Sequence, residues 1–346
     1  MGKVRFGIIG CGVIAEFHNQ AINEIDNAVV LGCVDSYAPS AERFAAEHNI
    51  KKYDTIEDML ADPEIDAVTI CTPSGLHTQQ AIAAMRAGKH VVCEKPMSIT
   101  LEDADRLIAV ANETQIKVCI ISQFRYSPAV QAVKKAIDAG ALGNIVSGSL
   151  QMKYYRSDAY YASGSWRGTK AMDGGGCLMN QGIHGVDVFR YLMGPVKSLV
   201  GYARTQQRKI EVEDSAAAVL EFKNGAIGTL EGSTLCFPGY PRRIEICGDK
   251  GSVVLEENSV KKWDCEGYDI GVPVGKSATN VASSDPKAID VSGHTRQIRN
   301  FVNSILYGEK LMAPAESGRP ALEIILGVYE SSETGKPVIF DVTKKN

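Results

Sequence analysis

Lysine, histidine and carboxylate groups can move a proton to or from an alcohol near neutral pH, and this chain sets them in two short motifs. The first is Glu94-Lys95-Pro96, which closes the apolar run "HVVC". Lysine is seldom fully buried without a partner. Its unperturbed pKa, about 10.4, has to fall before it serves as a base; kept charged, it donates hydrogen bonds and stabilises an alkoxide. The second is "MDGGGCLMNQGIHGVDVF", Met172 to Phe189, in which a run of glycines leads into a segment that reads as a helix. Asn180, His184 and Asp187 fall at i, i+4 and i+7 and so share one helical face. Histidine suits general acid–base work, an amide can only orient, and Asp187 is expected to orient or neutralise His184. Taken alone, a core histidine satisfied by Asp187 reads as well as a catalytic one.

A third motif, "GIIGCGVIAEFH", points to a dinucleotide. Gly10, Gly12 and Ala15 make G-x-G-x-x-A between a strand and a helix. The first glycine permits a tight turn, the second lets backbone approach a pyrophosphate, and the small third residue allows close helix packing. The helix opening at Val13 and Ile14 offers N–H groups and a positive dipole end to the phosphates. Asp35 ends the next apolar run, where a carboxylate takes ribose hydroxyls, and "DSYAPS" brings no Arg or Lys after it, so NAD is preferred to NADP. In "CTPSGLHTQQAI", Thr72, Pro73 and His77 follow a strand end and are expected beside the cofactor, with a capping or surface role for His77 equally open. Glu94, Lys95 and Gln123 complete the expected cofactor contacts. No CxxC pair occurs among the nine cysteines, so no metal site is expected.

Ahead of the glycine run lies "YYRSDAYYASGSWRG", with Tyr154, Tyr155, Arg156, Tyr160, Tyr161, Trp166 and Arg167. Aromatic faces stack on the C–H face of a sugar, and guanidinium groups grip carboxylate or phosphate in pairs of hydrogen bonds. A tyrosine-rich strand edge is the plainer reading. Arg125, in "SQFRYSP", is a further substrate candidate at a presumed domain junction.

These motifs need strands and helices to hold them. Apolar, β-branched runs at 5–10, 28–35, 66–73, 90–96 and 117–122 alternate with helical stretches at 13–24, 39–48, 55–61, 75–87 and 100–114. That alternation predicts an N-terminal doubly wound parallel sheet of α/β class. After a helix at 127–139 the grammar changes to successive strands at 145–155, 196–204, 215–235 and 242–257, with hairpin signals at "KNGA" and "GDKG". A second, α+β domain with a large, open, mainly antiparallel sheet is expected. Residues 258–290 carry no pattern and read as loop, and helices are expected near 293–307 and 316–332. The expected boundaries are 1–122 for the NAD-binding domain and 123–346 for the substrate and oligomerisation domain; 346 residues exceed one ordinary domain. A net charge of −4 with interspersed signs argues against nucleic acid or an anionic membrane as the main partner. An odd cysteine count in apolar runs, with no leader segment, fits a reducing cytoplasm.

The glycine fingerprint, "TPSGLHTQQA", "EKP", "GALGNI" and "DGGGCLMNQGIHGVD", in this order and spacing, resemble the Gfo/Idh/MocA family, that of glucose–fructose oxidoreductase and inositol dehydrogenase. The resemblance runs to "GRPALEIILGVYESSETGKPV" near the C-terminus. It implies a Rossmann domain, a second domain whose open sheet forms a homodimer or homotetramer, and NAD(P)-dependent oxidation of a sugar or cyclitol hydroxyl. Lys95 matches the family's active-site lysine and His184 its helix histidine. The family's aspartate four residues before that histidine is Asn180 here, which puts a lysine–aspartate–histidine relay in doubt. The "YYRSDAYYASGSWRGTKAMDGGGCLMNQGIH" string is similar to the branch that oxidises the 3-hydroxyl of UDP-N-acetylglucosaminuronate. On this resemblance Lys95 and His184 are the expected catalytic pair, presented across a cleft from each other. Lys95, Arg125, Tyr154, Arg156, Trp166, Arg167, Asn180 and His184 are the expected substrate contacts, and the glycine run is expected to pass close to the nicotinamide. The rival readings are a glycosidase that uses transient oxidation, an inositol dehydrogenase, and a non-catalytic NAD-binding regulator.

Overall fold

The computed structural model describes residues 2–275 and 290–340, which form two units, one of residues 2–123 with 290–319 and the other of residues 124–275 with 320–340. The first contains strands β1 (Val4–Ile9), β2 (Ala28–Val34), β3 (Lys51–Lys52), β4 (Ala67–Ile70), β5 (His90–Cys93) and β6 (Val118–Ile120). All are parallel, in the order β3-β2-β1-β4-β5-β6. Phe6, Ile8, Ile9, Val68, Ile70, Val91 and Val92 are buried, the continuous apolar pattern of a sheet covered on both faces. The connecting helices are α1 (Val13–Asn23), α2 (Ala38–His48), α3 (Ile56–Ala61), α4 (His77–Arg86) and α5 (Leu101–Thr114). Thr55 and Thr100 cap α3 and α5, their hydroxyls accepting from the N–H of Asp58 and Asp103. Strand order reverses between β1 and β4, so the carboxyl ends of those strands form the switch point at which such sheets bind ligands.

A single cut at residue 122 does not describe this unit. The helix Ser292–Tyr307 belongs to it, with Ile298, Phe301 and Val302 buried and the Phe301 ring 6.2 Å from that of Phe6. Gln297 donates to the Ile120 carbonyl at 2.8 Å and accepts from the Ser122 N–H at 2.9 Å. Side-chain contacts between distant segments of sequence leave no periodic trace, so the return of the chain was not legible.

The second unit carries α6 (Pro128–Asp138), β7 (Ile145–Lys153), α7 (Asp158–Ala162), α8 (Ile183–Met193), β8 (Val196–Arg204), β9 (Ser215–Phe222), β10 (Ile227–Ser233), β11 (Arg243–Gly248), β12 (Gly251–Glu256) and β13 (Ser259–Cys265). With β14 (Val338–Ile339) these strands form one sheet, β13-β12-β11-β7-β10-β9-β8-β14. Its pairings are antiparallel except β7 with β10. Both expected hairpins are present, and Gly225, at φ +88°, makes the first turn. Alternate residues, among them Leu150, Met152, Leu220, Leu230, Ile244 and Leu255, are buried, while Val200, Tyr202, Val219 and Ile227 on the opposite face are exposed. The chain also includes α9, the helix Ser292–Tyr307, and α10 (Arg319–Thr334), whose Gly327 and Val328 lie against β8.

The loop expected over 258–290 is corrected by β13, which pairs with β12. Only Val260 of that strand is fully buried, and lysines occupy its outer positions, as on protected edges, so alternation was faint. Residues 276–289 of that expectation lie outside the described residues.

Candidate active site

Gly10 ends β1 at φ +92°, and a Cβ there would stand 2.9 Å from the Cys71 carbonyl carbon and oxygen and from Thr72 Cγ2. Only glycine serves both the backbone angle and the approach of β1 to β4. Gly12 has open space where a Cβ would be, and no side chain caps α1 behind it; Val13 is exposed and Ile14 half-buried. The arrangement fits a pyrophosphate at a helix N-terminus. Asp35 follows β2 with Oδ2 accepting from the Cys11 N–H at 2.7 Å and Oδ1 from the Tyr37 N–H at 2.8 Å. The carboxylate therefore braces the fingerprint turn. Thr72 donates its hydroxyl to Gln80 Oε1 at 2.6 Å, Pro73 is half-buried beside it, and Gln123 is buried.

Glu94 and Lys95 leave β5 in different environments. The Glu94 carboxylate is 4% exposed; Oε1 lies 2.9 Å from His18 Nε2 and 3.7 Å from His294 Nε2, and Oε2 accepts the Lys95 N–H at 3.1 Å. His18 Nδ1 lies 2.7 Å from the Thr69 hydroxyl. Burial opposes the charge on Glu94, but His18, His294 and Lys95 outweigh it and hold the carboxyl well below its usual range. Burial likewise opposes a charged His18, and Cys71 and Glu94 overcome it, pushing the imidazole up to about 10. This buried ion pair, unmarked in sequence because its members lie far apart, anchors the backbone of Lys95, whose side chain is half-buried. His77 is 1% exposed, with Nδ1 2.7 Å from the Pro96 carbonyl oxygen and Nε2 2.8 Å from that of Thr72. Both Glu94 and His77, expected as cofactor contacts, thus turn their side chains to protein partners.

In the second unit the segment around His184 departs from a single regular helix. Cys177–Gly182 is a π-helical turn, and α8 begins at Ile183. A buried Glu213 explains the start: its carboxylate accepts the N–H of Gly176 and Leu178 and the Tyr329 hydroxyl, each at 2.8 Å. A Cβ on Gly176 would fall 1.8 Å from the Glu213 carbonyl oxygen, and one on Gly175 2.3 Å from the Tyr329 hydroxyl. The close approach of this backbone to Glu213 and Tyr329 accounts for glycine at positions 175 and 176.

Asn180 and Asp187 each have a partner other than His184. Asn180 donates to Asp173, which is 2% exposed and also accepts the Gly168 N–H. Asp187 meets Arg125: Nε donates to Oδ2 at 2.7 Å, and Nη2 is paired with Oδ1. Both side chains are 7% exposed, so the expected partner of His184 and a candidate substrate arginine form one buried ion pair. Burial opposes the charge on Arg125, and Asp187 outweighs it, raising its pKa. The half-buried His184 ring packs edge-on to Phe124 at 5.1 Å, and the buried Arg242 guanidinium sits 4.2 Å from the other ring contact, the Phe124 centroid. Phe124, Arg242, Glu213 and Asp173 are site-shaping residues that sequence reading missed; "MDGGG" contained the only local hint.

The aromatic–arginine segment opens on a strand-like continuation of β7, with Tyr155 bridged to Leu235, and then forms α7. Arg167 lies 4.4 Å from the Tyr160 ring and 4.5 Å from that of Trp166, and donates to the Tyr160 hydroxyl at 2.8 Å. Gln181 donates to that hydroxyl at 2.9 Å, tying the cluster to the turn before α8. Arg156 is 5.7 Å from the rings of both Tyr154 and Tyr160. Tyr154 and Arg156 are buried, and Tyr155, Tyr160, Tyr161, Trp166 and Arg167 are half-exposed. Burial pushes the Tyr161 phenol up to about 12.

No helix among the described residues is long and apolar enough to cross a membrane. Comparison with known proteins agrees with both units. Residues 4–122 match the model of an oxidoreductase family with an NAD-binding Rossmann fold, and residues 130–254 match that of the Gfo/Idh/MocA C-terminal domain. The uncharacterized oxidoreductase YrbE of Bacillus subtilis is 30% identical over 99% of this chain and 98% of its own length. Myo-inositol 2-dehydrogenase of Thermotoga maritima is 26% identical, over 97% and 98%. The WlbA dehydrogenase of Bordetella pertussis, solved in complex with NADH and UDP-GlcNAcA, superposes with a TM-score of 0.88 at 31% identity, covering 98% of this chain and 99% of that one. With an NAD-binding fingerprint in one unit, the family's C-terminal sheet in the other and relatives matched end to end, this chain belongs to the Gfo/Idh/MocA family of NAD-dependent oxidoreductases.

Proposed function

We propose that this oxidoreductase oxidises a secondary hydroxyl of an anionic sugar derivative, with a UDP-linked hexuronate as the best-supported substrate and the 3-hydroxyl as the position. The observation that carries this is the Tyr160–Trp166–Arg167 cluster, tied by Gln181 to the turn before the His184 helix. Its rings supply a surface for a sugar face, and its guanidinium supplies pairing for a carboxylate or phosphate. The likeness to a dehydrogenase holding UDP-GlcNAcA supports the same substrate class.

Gly10, Gly12, Val13, Ile14 and Asp35 would hold NAD, which when bound supplies the acceptor for the carbinol hydride. Lys95 and His184 handle the hydroxyl proton: the amine or imidazole accepts it, and a cation left nearby stabilises the alkoxide as charge develops. Asn180, an amide fixed by Asp173, orients a hydroxyl and does not take its proton.

An absorbance screen at the NADH band with free sugars, cyclitols, glycosides and nucleotide sugars tests the reading. Stoichiometric NADH with a UDP-hexuronate is the expected result. Turnover confined to inositols would replace the substrate class, and aglycone release without net NADH would replace oxidation by a glycosidase cycle. No turnover despite NAD binding would indicate a regulator.

We further propose that the exposed face of the eight-stranded sheet buries against a second copy of the chain. Val219, 54% exposed, neighbours Val200 on β8 and Thr229 on β10, and Tyr202 and Ile227 extend the surface at 63% and 60%. An uncharged stripe of this kind on an antiparallel sheet favours association. Val219→Glu is expected to convert an oligomer to a smaller species in sedimentation velocity; a monomeric parent protein at micromolar concentration would refute the assignment.

A further inference from the structure

We propose that Phe124 and Arg242 are positioning residues for His184, a buried cation fixing an aromatic ring and that ring fixing the imidazole. The inference deepens the proposed function and rests on it, since the stack acts on turnover through His184. His184 stands in the first turn of α8 and is half-buried. A side chain so placed can hop between staggered rotamers unless a neighbour blocks them, and proton transfer needs a nitrogen held within about 0.5 Å of its place. The neighbour is Phe124. Its ring centre lies 5.1 Å from that of His184 with the planes 66° apart, the edge-to-face geometry that ring pairs favour. Phe124 is half-buried on a short helical turn, so it needs an anchor of its own.

Arg242 supplies that anchor. Its guanidinium lies over the Phe124 ring, 4.2 Å from the centre, and desolvation strengthens such a contact. The side chain is 2% exposed. Nη2 donates to the Glu257 carbonyl oxygen at 2.9 Å and to Asn258 Oδ1 at 3.3 Å, and the Glu257 carboxylate lies 3.6 Å away. The Arg242 N–H donates to Glu257 Oε1 at 2.8 Å, so backbone and side chain meet the same residue. Arg242 precedes β11 and Glu257 follows β12, and those two strands pair with each other. The hairpin thus fixes the guanidinium in the frame of the sheet. Gly185, the residue after His184, leaves room for the arginine stem: a Cβ there would stand 3.1 Å from Arg242 Cδ. The stem therefore runs beside the turn that bears His184 and ends on the ring that packs against the imidazole.

Phe124→Leu keeps apolar bulk and removes the ring. It is expected to lower kcat by roughly 10–100-fold with KM within about threefold, because misplacing a group that acts in the transition state leaves ground-state binding alone. Phe124→Tyr, which keeps the ring, is expected to recover most of that loss. Arg242→Lys, which keeps the charge but not the flat face, is expected to lose kcat several-fold. Undiminished kcat in Phe124→Leu, a loss carried by KM, or equal damage from Phe124→Tyr overturns the stack; undiminished kcat in Arg242→Lys overturns the arginine's part in it. Proton–carbon spectra of histidine-labelled protein read the contact itself. The His184 ring signals, assigned by their loss in His184→Gln, are expected to be displaced by the Phe124 ring current in the parent protein and to return towards free-histidine positions in Phe124→Leu. Signals that coincide in the two proteins refute the contact. Should Phe124→Leu fail to fold, Phe124→Met carries the same tests. Full turnover by His184→Ala would sink the proposed function while leaving the parent spectrum as expected, whereas a loss in His184→Ala with none in Phe124→Leu would sink the stack alone.

Discussion

Lys95→Met and His184→Ala, made separately, are expected to lower kcat by about 10²–10⁴-fold each while changing NAD affinity only a few-fold. The asymmetry follows from where the two functions reside. The proposed pyrophosphate and ribose positions lie at the ends of β1 and β2, at Gly10, Gly12 and Asp35, with Asp35 bonded to the fingerprint turn itself. Truncating Lys95 leaves its backbone N–H on Glu94 and the His18–Glu94 pair beneath it. A group that acts only as charge develops lowers kcat and kcat/KM together, whereas a group that merely holds substrate raises KM. Methionine keeps the length and apolar stem of lysine, so a loss in that variant reports the ammonium or amine. His184 packs edge-on to Phe124, so its alanine variant should be checked by thermal unfolding. Turnover undiminished in both variants, measured under saturating NAD and substrate, would defeat the assignment.

What the sequence disclosed, and what it withheld, divides along the range of the interactions. The parallel sheet was legible because strands buried on both faces must be continuously apolar, as "AVVLGCV" and "HVVC" are. The fingerprint was legible because Gly10 is demanded by its own backbone angle and its neighbours at β4. The return of α9 to the first unit was not, because it rests on Gln297 meeting Ile120 and Ser122 across some 175 positions. Around His184 the local pattern gave no sign of the partners. Helical spacing placed Asn180 and Asp187 on its stripe, but Glu213, far along the chain, draws the preceding turn into a π conformation. Asn180 then engages Asp173, and Asp187 engages Arg125. The carboxylate missing at position 180 has a neighbour in Asp173, a relation that the letters "MDGGG" contain and that spacing rules do not reveal.

Asp187→Ala should destabilise the second unit by about 3–5 kcal/mol, the cost of leaving a buried guanidinium without its counter-charge. Arg125 and Asp187 are each 7% exposed at the side chain, so solvent cannot replace the lost partner. Arg125 also lies 5.2 Å from the Tyr191 ring, and Gln131 donates to its carbonyl oxygen at 2.6 Å, so the arginine cannot withdraw without disturbing α6 and α8 together. The double replacement Arg125→Met with Asp187→Leu removes both charges at similar volume and should cost less than the sum of the single changes. Denaturant midpoints at constant slope measure each quantity. The outcome also decides between two roles for the carboxylate. If Asp187 served His184, as helical spacing suggests, Asp187→Asn would shift the pH profile of turnover and leave the unfolding midpoint close to that of the parent protein. If it serves Arg125, the same amide loses its charge against a buried cation, so the midpoint falls and the position of the pH limbs stays where it was. A retained midpoint would mean that the Arg125–Asp187 pair contributes nothing to the fold, and the helix bearing His184 would need another anchor.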